Sequence, residues 1–390
     1  MKKKIAILGS TGSIGKASLE VISKNKSEFK ITLLSANSNY FLIKKQIKNF
    51  KPNFFIINNQ NVYNKIKKEF HNKKTNIYNK FSNIPANVRF DITISAIVGI
   101  AGLEPTINFI KKSKKILLAN KESIICGWHI LKKISLKYKT KILPIDSEHF
   151  SIHQLTQGCS DSDIKKIYIT ASGGPFLRKP LKYFKNINPI EAAKHPRWKM
   201  GKKISIDSSN LMNKVFELIE AYNLFPFNPK KFEILIHPQS LIHAIVFFKN
   251  GQTKFLYHKT DMKIPIANGL YDNKIDVGNF IKSDKNFIKN LKHLEFEKVD
   301  KKRFPIVTLL NKKIYENSGP IILNASNEVL VHNFLNKKIS FTAIYQCLRL
   351  LFRDRDFNKY AIKKRPNIDE IYKIDKWARL KTTQIIEASQ

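Results

Sequence analysis

The 390-residue sequence predicts an α/β protein in three parts: an N-terminal domain on a parallel sheet, a central α/β domain and a small helical C-terminal domain. Three observations carry that expectation. Up to residue 145, short apolar runs without strict alternation recur between helix-length segments, as in parallel strands buried on both faces. From 146 to 271, carboxylates, serines, glycines and histidines cluster at the ends of candidate strands and helices. Beyond a Lys/Asn-rich linker at 272–300, helical periodicity marks 306–315, 322–335 and 341–352 within a domain at 301–390. At this length one core is not expected, and a 43% hydrophobic fraction is ample for two or three.

No apolar run approaches 18 residues, and Met1 to Lys4 leads straight into apolar Ile5 to Leu8, so no signal peptide, transit peptide or membrane span is expected. Three cysteines without paired spacing suit a reducing cytoplasm. The formal charge of +40 raises nucleic acid as a partner. Its make-up argues otherwise: nine Arg stand against 61 Lys, the lysines are spread over nearly the whole chain, and Lys, Asn, Ile and Phe share A+T-rich codons. Nucleic-acid readers lean on Arg forks and clustered aromatics. A basic binding protein on a degenerate nucleotide fold is the alternative of another class; it predicts steeply salt-dependent duplex binding.

The first strand, 4–8, runs into residues 9–15 (GSTGSIG) and then a helical pattern through Ala17, Leu19, Val21 and Ile22. Strand, glycine turn and helix cradle a dinucleotide pyrophosphate, because glycines admit the phosphates and the helix N-terminus offers unsatisfied N–H groups. The second strand, 29–34, ends in Ser35 to Asn39 with no acid for the ribose hydroxyls, which suits a 2′-phosphate and hence NADP; a plain polar turn is the alternative. Further strands are expected at 54–57, 91–99 and 115–122, the last placing Asn120, Lys121 and Glu122 at the ligand-binding edge.

Strand 142–145 opens the second half. If it continues extended, Asp146 and Glu148 project to one side and converge on a hard cation; the alternative is Asp146 as a helix N-cap with Glu148 a solvated first-turn acid. Strand 164–170 ends in Ser172, Gly173 and Gly174, an anion site or an ordinary turn. Residues 195–201 (HPRWKMG) read as a lid bounded by breakers, the flap expected near 185–203, or as a loop fixed on the core. Helix 210–222 is entered through N-cap candidates Asp207, Ser208 and Ser209, and gathers Asn213, Lys214 and Glu217 on one polar strip. A surface amphipathic helix would look the same.

In order, 9–15 (GSTGSIG), 118–123 (LANKES), 144–149 (PIDSEH), 172–176 (SGGPF), 195–201 (HPRWKMG), 212–217 (MNKVFE) and 236–243 (IHPQSLIH) resemble the motifs of 1-deoxy-D-xylulose 5-phosphate reductoisomerases, and the likeness continues through Asp261, Met262 and Pro265 to 324–328 (NASNE). The resemblance implies a Rossmann-like NADPH domain, a homodimer built by the central domain, and a phosphosugar isomerised to a branched aldehyde that hydride reduces. It implies Asp146, Glu148 and Glu217 as ligands of Mg²⁺, Mn²⁺ or Co²⁺. Lys121 and Ser147 would position the substrate backbone, and Ser172, Ser208, Asn213 and Lys214 its phosphate. His195 and Trp198 would belong to the flap. Thr11, Gly12, Ser13, Ile14, Asn37, Ser38, Asn39, Asn120, Glu122 and Gly201 would line the NADPH site. Asn37 and Ser38 stand where some members carry Gly and Lys. Another NADP-linked oxidoreductase is the nearer alternative.

Overall fold

The computed structural model describes residues 1–71, 74–198, 200–279, 281 and 286–389. By its internal contacts the chain forms two compact units: Met1–Ser123, His129–Phe150 and Met262–Ser283 in the first, Ile124–Trp128, Ser151–Asp261 and Asp284–Gln390 in the second.

The first unit is built from β1 (Lys3–Leu8), α1 (Ser13–Lys24), β2 (Phe29–Ala36), α2 (Tyr40–Phe50), β3 (Phe54–Ile57), α3 (Gln60–Glu69), β4 (Asn76–Tyr78), β5 (Phe90–Ser95), α4 (Leu103–Ile110), β6 (Ser113–Leu118), α5 (Lys121–Tyr138), β7 (Lys141–Pro144) and the start of α6 (Ser147–Leu155). Its seven strands are all parallel, in the order β4-β3-β2-β1-β5-β6-β7. Parallel pairing needs crossovers, and the helices that supply them bury both sheet faces. Ile5, Ile7, Val21, Ile22, Phe55 and Ile94 accordingly lie in one core. The central strand β1 stands where the strand order reverses, so the turn after it opens at the switch point where such sheets bind ligands.

Two sequence expectations change here. The run 115–122 is not one strand: β6 ends at Leu118, and α5 starts at Lys121 because Asn120 Oδ1 accepts the Ser123 N–H at 2.9 Å. The three-residue β4 was not foreseen, since Asn and Lys surround its single buried Ile77.

The second unit holds β8 (Ile164–Ala171), α7 (Pro189–Ala192), α8 (Lys202–Ser209), α9 (Met212–Leu224), β9 (Phe232–Ile236), β10 (Ile242–Phe248) and β11 (Thr253–Tyr257). After α10 (Lys263–Tyr271), which belongs to the first unit, come α11 (Phe287–Lys292), β12 (Glu297–Lys298), α12 (Lys312–Tyr315), α13 (Gly319–Leu335), α14 (Phe341–Arg353), α15 (Arg355–Ala361) and α16 (Ile368–Ala388). The sheet is mixed, β11-β10-β8-β9-β12, with β8 and β9 parallel and the other pairs antiparallel. Ile167, Ile169, Phe232 and Val246 of the sheet meet Leu218 of α9 in a second core.

The expected helix 306–315 is interrupted, because Leu310 turns extended between a 3-10 turn at Pro305–Leu309 and α12. The long α16 was missed, although Asn367 and Glu370 form a complete capping box and Ile371, Ile374, Ala378, Thr382 and Ile386 make a buried stripe at helical spacing. Within α9, Met212 through Ala221 are all buried, so the expected polar strip does not face water.

Leu218, 5% exposed, is therefore a core residue. Leu218→Ala is expected to cost about 2–5 kcal/mol in urea unfolding, while Phe41→Ala, on a side chain 80% exposed, stays within about 0.5 kcal/mol.

Candidate functional site

The glycine turn after β1 is shaped by close approach. Gly9 has φ +84°, and a Cβ there would fall 2.5 Å from the Ala96 carbonyl oxygen; a Cβ on Gly15 would fall 2.4 Å from the Gly9 oxygen. Gly12 meets only the Gly9 oxygen, at 3.4 Å, and stays exposed with Ser13, while Thr11 and Ile14 are half-buried. Gly12 heads α1 without a side-chain cap, so the first N–H groups of α1 remain available to an anion. Gln46, which sequence reasoning missed, braces the turn from below: Ser10 Oγ donates to its Oε1 at 2.6 Å, and its Nε2 donates to the Ser10 carbonyl at 2.9 Å. Asn37, Ser38 and Asn39 are exposed at the end of β2, and Asn39 Oδ1 caps α2 through the Leu42 N–H at 3.1 Å. Asn120 is committed to structure. Its Nδ2 donates to the carbonyls of Ile97 (2.6 Å) and Gly99 (3.1 Å) and to Glu122 Oε2 (2.9 Å).

The carboxylate pair settles into the helical alternative rather than an extended strand. Phe150 N–H donates to the Asp146 carbonyl at 2.8 Å and Glu148 N–H to Asp146 Oδ1 at 3.3 Å, so Asp146 caps α6 and Glu148 lies in its first turn. Yet Glu148 is buried, not solvated as that alternative supposed. A carboxylate oxygen of each lies within 4.8 Å of the other. Lys121 Nζ stands 3.3 Å from Asp146 Oδ2, Ser147 Oγ donates to Glu148, and fully buried His149 holds Nδ1 3.4 Å from Asp146 Oδ1. His149 stood in the quoted motif, three residues past Asp146, and received no role. The helix N-terminus adds positive potential to a pair that would otherwise repel.

In the second unit, β8 delivers Ser172 into a turn with Gly173 at φ +78° and Gly174 at φ +68°. Ser172 Oγ accepts the Gly174 N–H at 3.1 Å and lies 2.9 Å from His195 Nε2. His195 Nδ1 accepts the N–H groups of Arg197 (3.1 Å) and Trp198 (2.9 Å), which fixes the ring proton on Nε2, donating to Ser172. Both hydroxyl lone pairs are then used, and the Ser172 proton is left to donate outward, as an anion requires. Gly174 presses on the end of α8, where a Cβ would fall 2.9 Å from the Ser208 oxygen. Lys214 Nζ pairs with Glu217 Oε2 at 2.6 Å, and Asn213 Nδ2 also donates to Glu217. Glu217 is 1% exposed, and a carboxylate so deeply buried needs partners of this kind. Trp198 is half-buried edge-on against His243, rings 5.9 Å apart, while Gly201 is exposed at the head of α8; Lys199 of the same motif lies outside the described residues. Asp207, Ser208 and Ser209 lie inside α8 and do not cap α9. Leu211 turns left-handed at φ +67°, and Asn210 Oδ1 takes the Met212 N–H at 2.9 Å.

Three family descriptions match successive parts of the chain: 1-deoxy-D-xylulose 5-phosphate reductoisomerase over residues 5–127, its C-terminal domain over 142–225, and the DXP reductoisomerase C-terminal domain over 258–381. The chain is 45% identical over 388 residues to the 1-deoxy-D-xylulose 5-phosphate reductoisomerase of Pelagibacter ubique, covering 98% of this chain and 99% of that one. It is 38% identical to that of Wolbachia pipientis wMel, covering 99% and 98%. Among solved structures, the Zymomonas mobilis enzyme in complex with NADPH superposes with TM-score 0.89 at 32% identity, covering 99% of this chain and all of that one. A DOX-P reductoisomerase with NADPH, fosmidomycin and magnesium superposes with TM-score 0.91 at 32% identity, covering 99% and 98%.

The contact of Gly15 with the turn sets a test of the nucleotide reading. Gly15→Ala pushes a methyl into backbone, and dinucleotide affinity by fluorescence titration is expected to fall at least about tenfold, whereas Gly251→Ala, with open space around it, leaves affinity unchanged.

Proposed function

The chain belongs to the 1-deoxy-D-xylulose 5-phosphate reductoisomerase family, and from that premise we propose how its residues divide the work. The enzyme converts 1-deoxy-D-xylulose 5-phosphate to 2-C-methyl-D-erythritol 4-phosphate in isoprenoid biosynthesis, with NADPH and a divalent metal. In our reading Asp146, Glu148 and Glu217 are the metal ligands. Hard carboxylate oxygens fit Mg²⁺ or Mn²⁺, and the observation that carries the assignment is the pair of Asp146 and Glu148 at one helix start with oxygens within 4.8 Å. When bound, the ion supplies Lewis acidity toward the substrate oxygens, and NADPH supplies the hydride.

The other residues position and shield. Lys121, beside Asp146, and Ser147 position the substrate backbone. Ser172, Ser208, Asn213 and Lys214 take the phosphate, with His195 orienting the Ser172 hydroxyl through Nε2–H. Trp198, on its flap, covers the bound sugar and excludes water. Thr11, Gly12, Ser13, Ile14, Asn37, Ser38, Asn39, Glu122 and Gly201 contact NADPH, Asn120 acting by tying the β5 loop to α5. We assign the nucleotide role to residues 1–145, the catalytic and dimerisation roles to 146–271, linkage to 272–300 and support to 301–390.

We further propose a homodimer, supported by the edge strand β11 with its half-exposed Phe255 and the neighbouring Phe247, 38% exposed. Among the described residues no helix is long and apolar enough to cross a membrane. A cytoplasmic location fits cysteines that form no disulfide.

Glu217→Gln keeps the shape but removes the charge. NADPH oxidation with the phosphosugar is expected to fall about a thousandfold, with NADPH binding by fluorescence unchanged; an undiminished rate would remove Glu217 from the site. Chelation with EDTA should silence the wild type, and added Mg²⁺ or Mn²⁺ should restore it.

A further inference from the structure

We propose that Asn327, on α13 of the C-terminal region, is a positioning residue for the phosphate seat: it fixes Asp207, and thereby holds α8 so that Ser208 is presented to the substrate phosphate. This rests on the reading of Ser208 as a phosphate ligand.

The geometry is that of a buried brace. Asp207 is 1% exposed, and its two oxygens are taken by different elements: Oδ2 by Lys203 Nζ at 2.9 Å, one turn earlier in α8, and Oδ1 by Asn327 Nδ2 at 2.8 Å, 120 residues away. A carboxylate so deeply buried is tolerated as an anion only with its oxygens engaged, so rotating α8 away from α13 leaves a charge half satisfied. Ser208 is the next residue, and a helix turns 100° per residue, so fixing Asp207 on α13 fixes the direction of Ser208. At the same helix end, Gly174 lies against the Ser208 and Ser209 backbone, leaving 2.9 Å for a Cβ. The end of α8 is thereby held by both the Ser172 turn and α13.

α13 is itself anchored. Glu328, adjacent to Asn327, pairs with Arg379 of α16, whose Nε also donates to Asp375 at 2.7 Å. Buried Asp375 and the half-buried Glu328 and Arg379 thus tie α13 to α16. The motif 324–328, which no other part of the reaction uses, acquires a role, and so do the C-terminal helices: they set the back wall of the phosphate seat.

The experiment compares Asn327→Ala with Ser208→Ala, reading KM for the phosphosugar, the competitive inhibition constant of inorganic phosphate, kcat and NADPH affinity. For Asn327→Ala, KM and the phosphate constant are expected to rise together by about tenfold, with kcat within about twofold and NADPH affinity unchanged. A general loss of stability would not move the phosphate terms alone. If Ser208→Ala raises both constants and a folded Asn327→Ala raises neither, the brace is wrong while the seat stands. If Ser208→Ala raises neither, the seat is misassigned and the brace falls with it. Should Asn327→Ala melt below assay temperature, the double variant D207N/N327D keeps one amide against one carboxylate. Recovery of both constants relative to Asp207→Asn supports the brace, and no recovery overturns it.

Discussion

Burying negative charge in a chain that carries an excess of positive charge is the constraint on which the chemistry depends. Lysine is abundant at the surface, where an ion pair contributes little. Several acids lie inside: Glu148, Asp207, Glu217 and Asp375 are all buried, and Asp146 is half-buried. Each buried carboxylate needs its own partners, and the structure gives each different ones, among them Ser147 for Glu148, Lys203 and Asn327 for Asp207, Lys214 and Asn213 for Glu217, and Arg379 for Asp375. Changes among exposed lysines leave these arrangements untouched, which explains how a strongly basic composition and a specific polar site coexist in one chain.

Element ends deliver the candidate functional groups in both units. β1 hands a glycine turn to α1, β6 hands Asn120 and Lys121 to α5, and β7 hands Asp146 and Glu148 to α6. In the second unit β8 hands Ser172 to its turn, and α8 passes through Asn210 into α9 with Asn213 and Lys214 in the first turn. Helix N-termini recur because phosphates and carboxylates are both stabilised there. These strands end in buried residues, Leu8, Leu118, Pro144 and Ala171, which fix each turn without using the candidate groups.

The sequence was most legible where one short stretch contains its own cause. The parallel strands show as apolar runs, and the glycine turn shows because strand, turn and helix are contiguous. Asp146, Glu148, Lys121 and Ser172 could be singled out as candidates, but the backbone carrying the acids could not be read: an Asp two residues before a Glu suits both a strand end and a helix cap. Partnerships across long sequence distance left no local trace. The burial of Glu217, the support of Ser10 by Gln46, and the grip of Asn327 on Asp207 all depend on folding. The capping box of α16 was legible at Asn367 and Glu370, though Lys-rich surroundings blurred the stripe that follows.

The central claim is that Asp146, Glu148 and Glu217 hold one divalent ion, and Mn²⁺ binding followed by electron paramagnetic resonance tests it without reliance on turnover. The account predicts one tight Mn²⁺ per chain in the wild type and at least about a hundredfold weaker binding in both Asp146→Asn and Glu217→Gln, each still folded and binding NADPH. Tight stoichiometric Mn²⁺ in either variant would contradict it.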